Sequence, residues 1–284
     1  MQKTRVPGSD KNLSKIALGC SRFGSFNSPL STADVRSLLA AAFDAGVTTF
    51  DTSDVYGQGD SERELGRFLN GSRMAESFIL TKGGKLFSNK MRLLRPFKPI
   101  LKPLLSQKGK SAVTARRSDE ISSNFSPTHI ISAVEGSLRR LRTDVLDGYV
   151  LHSPPLADAT RPALWEALAK LKREGKIAAF GISCDTREVL EASLPMPGLT
   201  LLELPYDVLV EIQGSATATQ IIQRKMIVFA REIIRLQPGT PAEIAVRNAV
   251  NMPLVSSTII GTSKINHLRA VLNSANSALT ELRA

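Results

Sequence analysis

The stretch VTTFDTSDVYGQGDSE, residues 47–62, decides how this chain is read. An apolar, β-branched run closes on a carboxylate, Asp51, and a glycine-rich segment follows that carries Tyr56 five positions on. Short runs of this composition are strands, so Asp51 is placed at a strand's carboxyl end. The chain has 3 tyrosines in 284 residues, and one of them stands in the loop just after that carboxylate.

Seven further runs share this character: KIALG (15–19), FILTK (78–82), LDGYVLH (146–152), IAAFGIS (177–183), LTLLEL (199–204), MIVFA (226–230) and SSTIIG (256–261). Helical patterns with start signals lie between them. Ser31 or Thr32 caps a helix that stops at Gly46; Ser126 precedes Pro127 at a first helical position; Thr240 and Pro241 repeat that arrangement. The patterns after IAAFGIS and LTLLEL are weaker. Eight strand–helix units fit a (β/α)8 TIM barrel, for which ~250 residues is typical, as a single domain over residues 1–284. Strands this apolar suit a parallel sheet covered on both faces. No G-x-G-x-x-G follows the first strand and no G-x-x-x-x-G-K-[ST] occurs, against Rossmann and P-loop folds.

The net charge of +11 invites a nucleic-acid or membrane reading. Its distribution opposes that. Residues 77–118 hold all the excess, with eleven Lys or Arg and no Asp or Glu, and the rest of the chain balances. The 2 cysteines, Cys20 and Cys184, are far apart and outside any zinc or redox spacing, so reduced thiols are expected. No signal-peptide pattern or membrane-length apolar run occurs, and a cytoplasmic location with no nucleic-acid partner is the expectation.

In barrels of this type chemistry is done where strands end. Those ends hold Cys20 and Ser21, Asp51, Lys82, His152, Ser183 and Cys184, Glu203, Arg231, and Gly261 through Ser263. Strands two, three and four are neighbours, so Asp51, Lys82 and His152 converge at the mouth, with Tyr56 from the loop above. Each has an ordinary alternative: a turn aspartate, a packed loop aromatic, a solvated lysine, a structural histidine. Together they read as a general acid aimed at a developing alkoxide. An adjacent ammonium is expected to favour the phenolate form and ease proton donation. With His129, His152 and His267 alone available, and two of them on predicted helices, no metal centre is expected.

The chain resembles the aldo-keto reductases. The matching stretches are LGCSRFG (18–24), GVTTFDTSDVYGQGDSERELG (46–66), ILTKGG (79–84), SLRRLRTDVLDGYVLHSP (137–154), GKIAAFGIS (175–183), LELPYD (202–207) and SSTIIGTSKINHLR (256–269). The resemblance implies reversible reduction of an aldehyde, ketone or sugar carbonyl with NADP(H), Tyr56 delivering the proton with help from Asp51, Lys82 and His152. It also implies that Ser263, Lys264 and Arg269 meet the 2′-phosphate and that Tyr206 stacks on the nicotinamide. Cys20, Ser21, Ser183, Cys184, Glu203, Arg231 and Gly261 then line the cofactor's path.

Some positions depart from the family pattern. Ser183-Cys184 replaces a usual Ser-Asn, Glu203 a Gln, and Ala270-Val271 a Glu-Asn pair. These changes motivate a rival reading, a slowly turning-over or non-catalytic NADPH-binding regulatory subunit. The basic insertion at about 86–120, broken by Pro96, Pro99 and Pro103, is expected to be either a solvated loop or a lid favouring an anionic substrate.

Overall fold

The computed structural model describes residues 3–6, 10–25, 28–87 and 121–281. Eight parallel strands close into a barrel in chain order. They are β1 (Ile16–Gly19), β2 (Thr49–Asp51), β3 (Phe78–Gly83), β4 (Leu146–His152), β5 (Ile177–Ser183), β6 (Leu201–Pro205), β7 (Ile227–Arg231) and β8 (Ser257–Ile260). Each expected run is found to within two residues. Closure is made by β8 on β1, with Ile260 opposite Leu18.

The side-chain period of two divides each strand between two cores. Phe78, Leu80, Val150, Ala179, Leu201, Phe229 and Ile259 point inward and fill the lower barrel. Continuing the same parity upward gives Asp51, Lys82, His152, Ser183, Glu203 and Arg231, so the top layer of an otherwise apolar interior is polar. The intervening residues, among them Leu18, Phe50, Ile79, Leu151, Ile182 and Val228, pack outward under the helices.

The helices that follow the strands include α1 (Thr32–Asp44), α2 (Asp60–Phe68), α3 (Pro127–Leu141), α4 (Pro162–Arg173), α5 (Arg187–Ser193), α6 (Ala216–Gln223), α7 (Ala242–Val250) and α8 (Ile265–Glu281), with shorter ones at Ser72–Glu76, Leu156–Ala159 and Tyr206–Ile212. Ser31 caps α1 in a full capping box with Asp34, and Ser126 accepts from the His129 amide ahead of Pro127. The third expected start shifts by one residue. Pro241 keeps an extended ψ of 143° and is itself the cap of α7, so Thr240 lies outside it. The two weak patterns are short helices whose side-chain caps, Thr186 and Ser215, offset their length.

Two hairpins escape the sequence reading. Lys3–Arg5 pairs with Asn12–Ser14 below the barrel, where fully buried Leu13 and nearly buried Val6 join the interior core as a plug. Lys85–Phe87 pairs with Ile121–Ser123 above β3, at the two ends of the basic insertion. Residues 88–120 of that insertion lie outside the described residues. No helix among the described residues is long and apolar enough to cross a membrane.

Candidate active site

Tyr56 reaches the barrel mouth on a loop tied to the sheet. The Thr52 amide donates to the Leu80 carbonyl at 2.8 Å and the Asp54 amide to the Lys82 carbonyl at 3.1 Å, extending β2–β3 pairing past the end of β2. The Tyr56–Gly59 turn follows. Gly57 there has φ 58°, and a Cβ on it would stand 2.5 Å from the Phe23 carbonyl oxygen, so the turn both needs a left-handed residue and has no room for a side chain. Ser61 Oγ donates to the Cys20 carbonyl at 2.9 Å and lies 2.8 Å from Thr52 Oγ1, anchoring the start of α2.

Lys82 is fully buried beneath the mouth. Its ammonium donates to Asp51 Oδ1 and to the Thr52 carbonyl, the latter at 3.1 Å, and lies 3.2 Å from Glu203 Oε2. Lys82 Nζ is 5.2 Å from the Tyr56 ring centroid. Tyr56 and His152 meet edge to face, with centroids 5.7 Å apart and an interplanar angle of 89°. Asp51, Tyr56 and His152 share one cavity of about 610 Å³, with Lys82 directly behind them.

The charges do not divide as the sequence suggests. Burial raises the Tyr56 pKa above the ordinary phenol value; Lys82 opposes this, while Asp51 and Glu203 add to it. Burial outweighs the pull of the ammonium, so Tyr56 is neutral and holds its proton. Burial works against the Lys82 charge, yet Asp51 and Glu203 hold its pKa above the ordinary lysine value. Burial lifts the Asp51 carboxyl above the usual carboxylate range, with Lys82 opposing. His152 is neutral, its pKa driven well down by burial and then by Lys82, Lys85 and Arg231.

Glu203 joins two cations. Besides Lys82, it faces Arg231, whose Nε lies 3.6 Å from Glu203 Oε1. Arg231 also donates to the Cys184 carbonyl at 2.9 Å, to Glu232 Oε1 at 2.5 Å and to Asp185 Oδ1. Ser53 holds the other flank. Its Oγ lies 3.1 Å from His152 Nδ1, 3.2 Å from Asp54 Oδ1 and 3.2 Å from the Lys82 carbonyl. Residues Ser53, Asp54, Asp185 and Glu232 were not expected at the site. Ser53 and Asp54 stand inside the opening stretch, but side chains two and three positions past a strand end carry no periodic signal.

Of the residues expected on the cofactor's path, Ser21, Asp51, Ser183, Glu203, Arg231 and Gly261 line the cavity. Cys20 and Cys184 are buried on the outward parity, against the helix layer. Burial raises both thiols, Cys184 to about 12. Tyr206 opens the short helix Tyr206–Ile212 and packs against that same outer core. Ser263, Lys264 and Arg269 follow Gly261 away from the rim, with Lys264 and Arg269 exposed. Arg22 and Arg235, which the sequence reading passed over, do line the cavity.

Against known families, the aldo/keto reductase model matches residues 15–231. The chain belongs to the aldo/keto reductase family. Among curated relatives, an uncharacterised oxidoreductase of Bacillus subtilis, YcsN, is 33% identical over 186 residues, which is 64% of this chain and 53% of that protein. A D-threo-aldose 1-dehydrogenase from a Pseudomonas species is 30% identical over 207 residues, 67% of this chain and 58% of that protein. These alignments therefore span little more than half of those relatives' lengths. A solved structure described as a putative aldo-keto reductase from Pseudomonas aeruginosa superposes with a TM-score of 0.75 at 25% identity, covering 98% of this chain and 96% of that one. In this aldo/keto reductase family member, then, the polar layer at the barrel mouth is the place to seek chemistry.

Proposed function

We propose that this protein reduces an aldehyde, ketone or sugar carbonyl, reversibly, with NADP(H). One observation carries the reading: a neutral phenol, a neutral imidazole and a buried Lys–Asp pair meet on one cavity wall. A phenol that keeps its proton suits donation to an alkoxide, a far stronger base than phenolate. As negative charge grows on the carbonyl oxygen, Tyr56 supplies the proton and Lys82, fixed by Asp51 and Glu203, supplies positive potential from behind the ring. His152 orients that oxygen.

The residues present fit a dinucleotide. The cavity volume is within the range of ligand sites, roughly 300–1,000 Å³. Ser183 is buried and lines the cavity, its hydroxyl suited to a carboxamide. Ile233, Ile234 and Ile259 offer apolar faces, and Arg22 and Arg235 offer cations to phosphates. When bound, NADPH supplies the hydride. A preference for NADP over NAD rests on Ser263, Lys264 and Arg269 beyond the rim. The aldose named in the Pseudomonas relative makes sugars the first substrates to try.

Tyr56→Phe tests the reading. NADPH consumption against a panel of sugars, aldehydes and ketones should fall by about 10²-fold or more, while NADPH binding followed by fluorescence stays within a few-fold. Retention of most turnover would refute the assigned donor. A wild-type protein that binds NADPH tightly and turns over none of the panel would instead favour the regulatory-subunit reading.

A further inference from the structure

Helices α2 and α3 cross closely on the outside of the barrel. A Cβ on Gly66 would stand 2.5 Å from the Leu141 carbonyl oxygen. Beside this crossing is a cleft of about 460 Å³ lined by six residues: Gly136 and five arginines, Arg63, Arg67, Arg139, Arg140 and Arg142.

Three of these guanidinium groups are engaged. Arg140 donates to buried Glu62 at 2.5 Å and to Ser137 at 3.2 Å; Arg63 donates to Asp60 at 3.1 Å; Arg67 donates to Glu64 at 2.5 Å. The Arg139 and Arg142 side chains are exposed and, among the described residues, make no hydrogen bond and no salt bridge. Five arginines thus stand against three directly paired carboxylates, Asp60, Glu62 and Glu64, with Glu135 acting on Arg139 from farther off. The negative end of the α3 dipole accounts for a cation or two in its last turn. Arg63 and Arg67 come from α2, where each pairs with the carboxylate three residues before it and Arg67 lies in that helix's own last turn.

We propose that this cleft binds a small phosphorylated ligand through Arg139 and Arg142, with the other three arginines completing the wall. Guanidinium forks match the paired oxygens of a phosphate, and several lining one cleft suit a multiply charged oxyanion better than a monovalent one. The cleft also abuts the catalytic turn. A Cβ on Gly59 would meet Arg140 Cδ at 2.7 Å, and Glu62, the partner of Arg140, accepts from Thr81 Oγ1 at 2.6 Å, one residue before Lys82.

The test is calorimetric titration of the full chain with inorganic pyrophosphate at fixed ionic strength. Wild type should bind saturably, with Kd on the order of 1 mM or tighter. The double variant Arg139→Gln/Arg142→Gln should bind at least tenfold more weakly, and each single variant should show part of that loss. The barrel cavity's own phosphate-facing cations are removed by Arg22→Ala/Arg235→Ala, in which the cleft's saturable site should remain, and the Arg139/Arg142 comparison is made in that background. Absence of saturable binding, equal affinity in the double variant, or loss of binding in the cavity variant would each overturn the proposal. These readouts do not depend on turnover, so they stand apart from the fate of the carbonyl-reductase reading.

Discussion

Ser53 Oγ lies 3.1 Å from His152 Nδ1 while also facing two acceptors, Asp54 Oδ1 and the Lys82 carbonyl, each at 3.2 Å. A hydroxyl can donate only once, so with Asp54 ionised it gives its hydrogen to one of these oxygens and accepts from His152 Nδ1. Ser53 thereby fixes both the tilt and the tautomer of the imidazole. Ser53→Ala should lower kcat/KM by about 10- to 100-fold, as loss of an orienting partner typically does. Dinucleotide affinity should not change. Steady-state kinetics beside a binding titration checks this, and an unaltered kcat/KM would remove Ser53 from the positioning role.

Asp54 makes that arrangement depend on pH. Burial and then the Glu62 charge raise its carboxyl to about 7. Below that value the protonated carboxyl donates to Ser53, which can then donate to His152 Nδ1 and leave the imidazole proton on Nε2, ready to donate to a carbonyl oxygen. Reduction should therefore decline as pH rises through about 7, and Asp54→Asn should erase that inflection. Stability follows with the same sign. The folded state binds the proton more tightly than the unfolded chain, so the wild type loses stability as pH rises from the ordinary carboxylate range through about 7. Thermal melts should show Asp54→Asn gaining on wild type at pH 8 and much less at pH 4.

Glu203 is the second carboxylate on Lys82 and one of the groups raising the Tyr56 pKa. Glu203→Gln should lower the phenol pKa, moving the alkaline limb of the reduction profile to lower pH. It should also speed the reverse reaction, which uses the phenolate as base. A pH–rate profile with an unmoved alkaline limb would show that Asp51 and burial alone set the phenol.

At the opposite end of the barrel, Leu13 plugs the interior and is fully buried. Leu13→Ala should cost about 2–5 kcal/mol, lowering Tm by roughly 5–15 °C. Trp165 reports this well. It is the chain's one tryptophan, fully buried in the outer core, with its indole N–H on the Ala159 carbonyl at 2.7 Å. Dinucleotide binding below the transition should be unaffected, because the plug is separated from the mouth by the apolar layers.

By itself the sequence determined the eight strands, the two best-capped helices and, at the mouth, Asp51, Tyr56, Lys82 and His152 together with the strand-end Ser183, Glu203 and Arg231. Strand periodicity, Ser31 with Asp34, and Ser126 with Pro127 are relations between chain neighbours, and their physics acts before any tertiary contact forms. Cys20 and Cys184 were expected on the cofactor's path, but each stands one position past inward-facing Gly19 or Ser183, and strand parity turns both toward the helices. Tertiary structure alone decided how charge is shared. Barrel closure brings Glu203 from β6 onto Lys82 from β3 and Arg231 from β7, and it buries Tyr56 so that burial, with Asp51 and Glu203 adding to it, outweighs the lowering that Lys82 still exerts. Coulomb interactions and desolvation depend on distance and burial in space, not on spacing along the chain. The N-terminal plug was likewise hidden, because three-residue strands carry too little periodicity to be read and gain their place only from the open end of the barrel they fill.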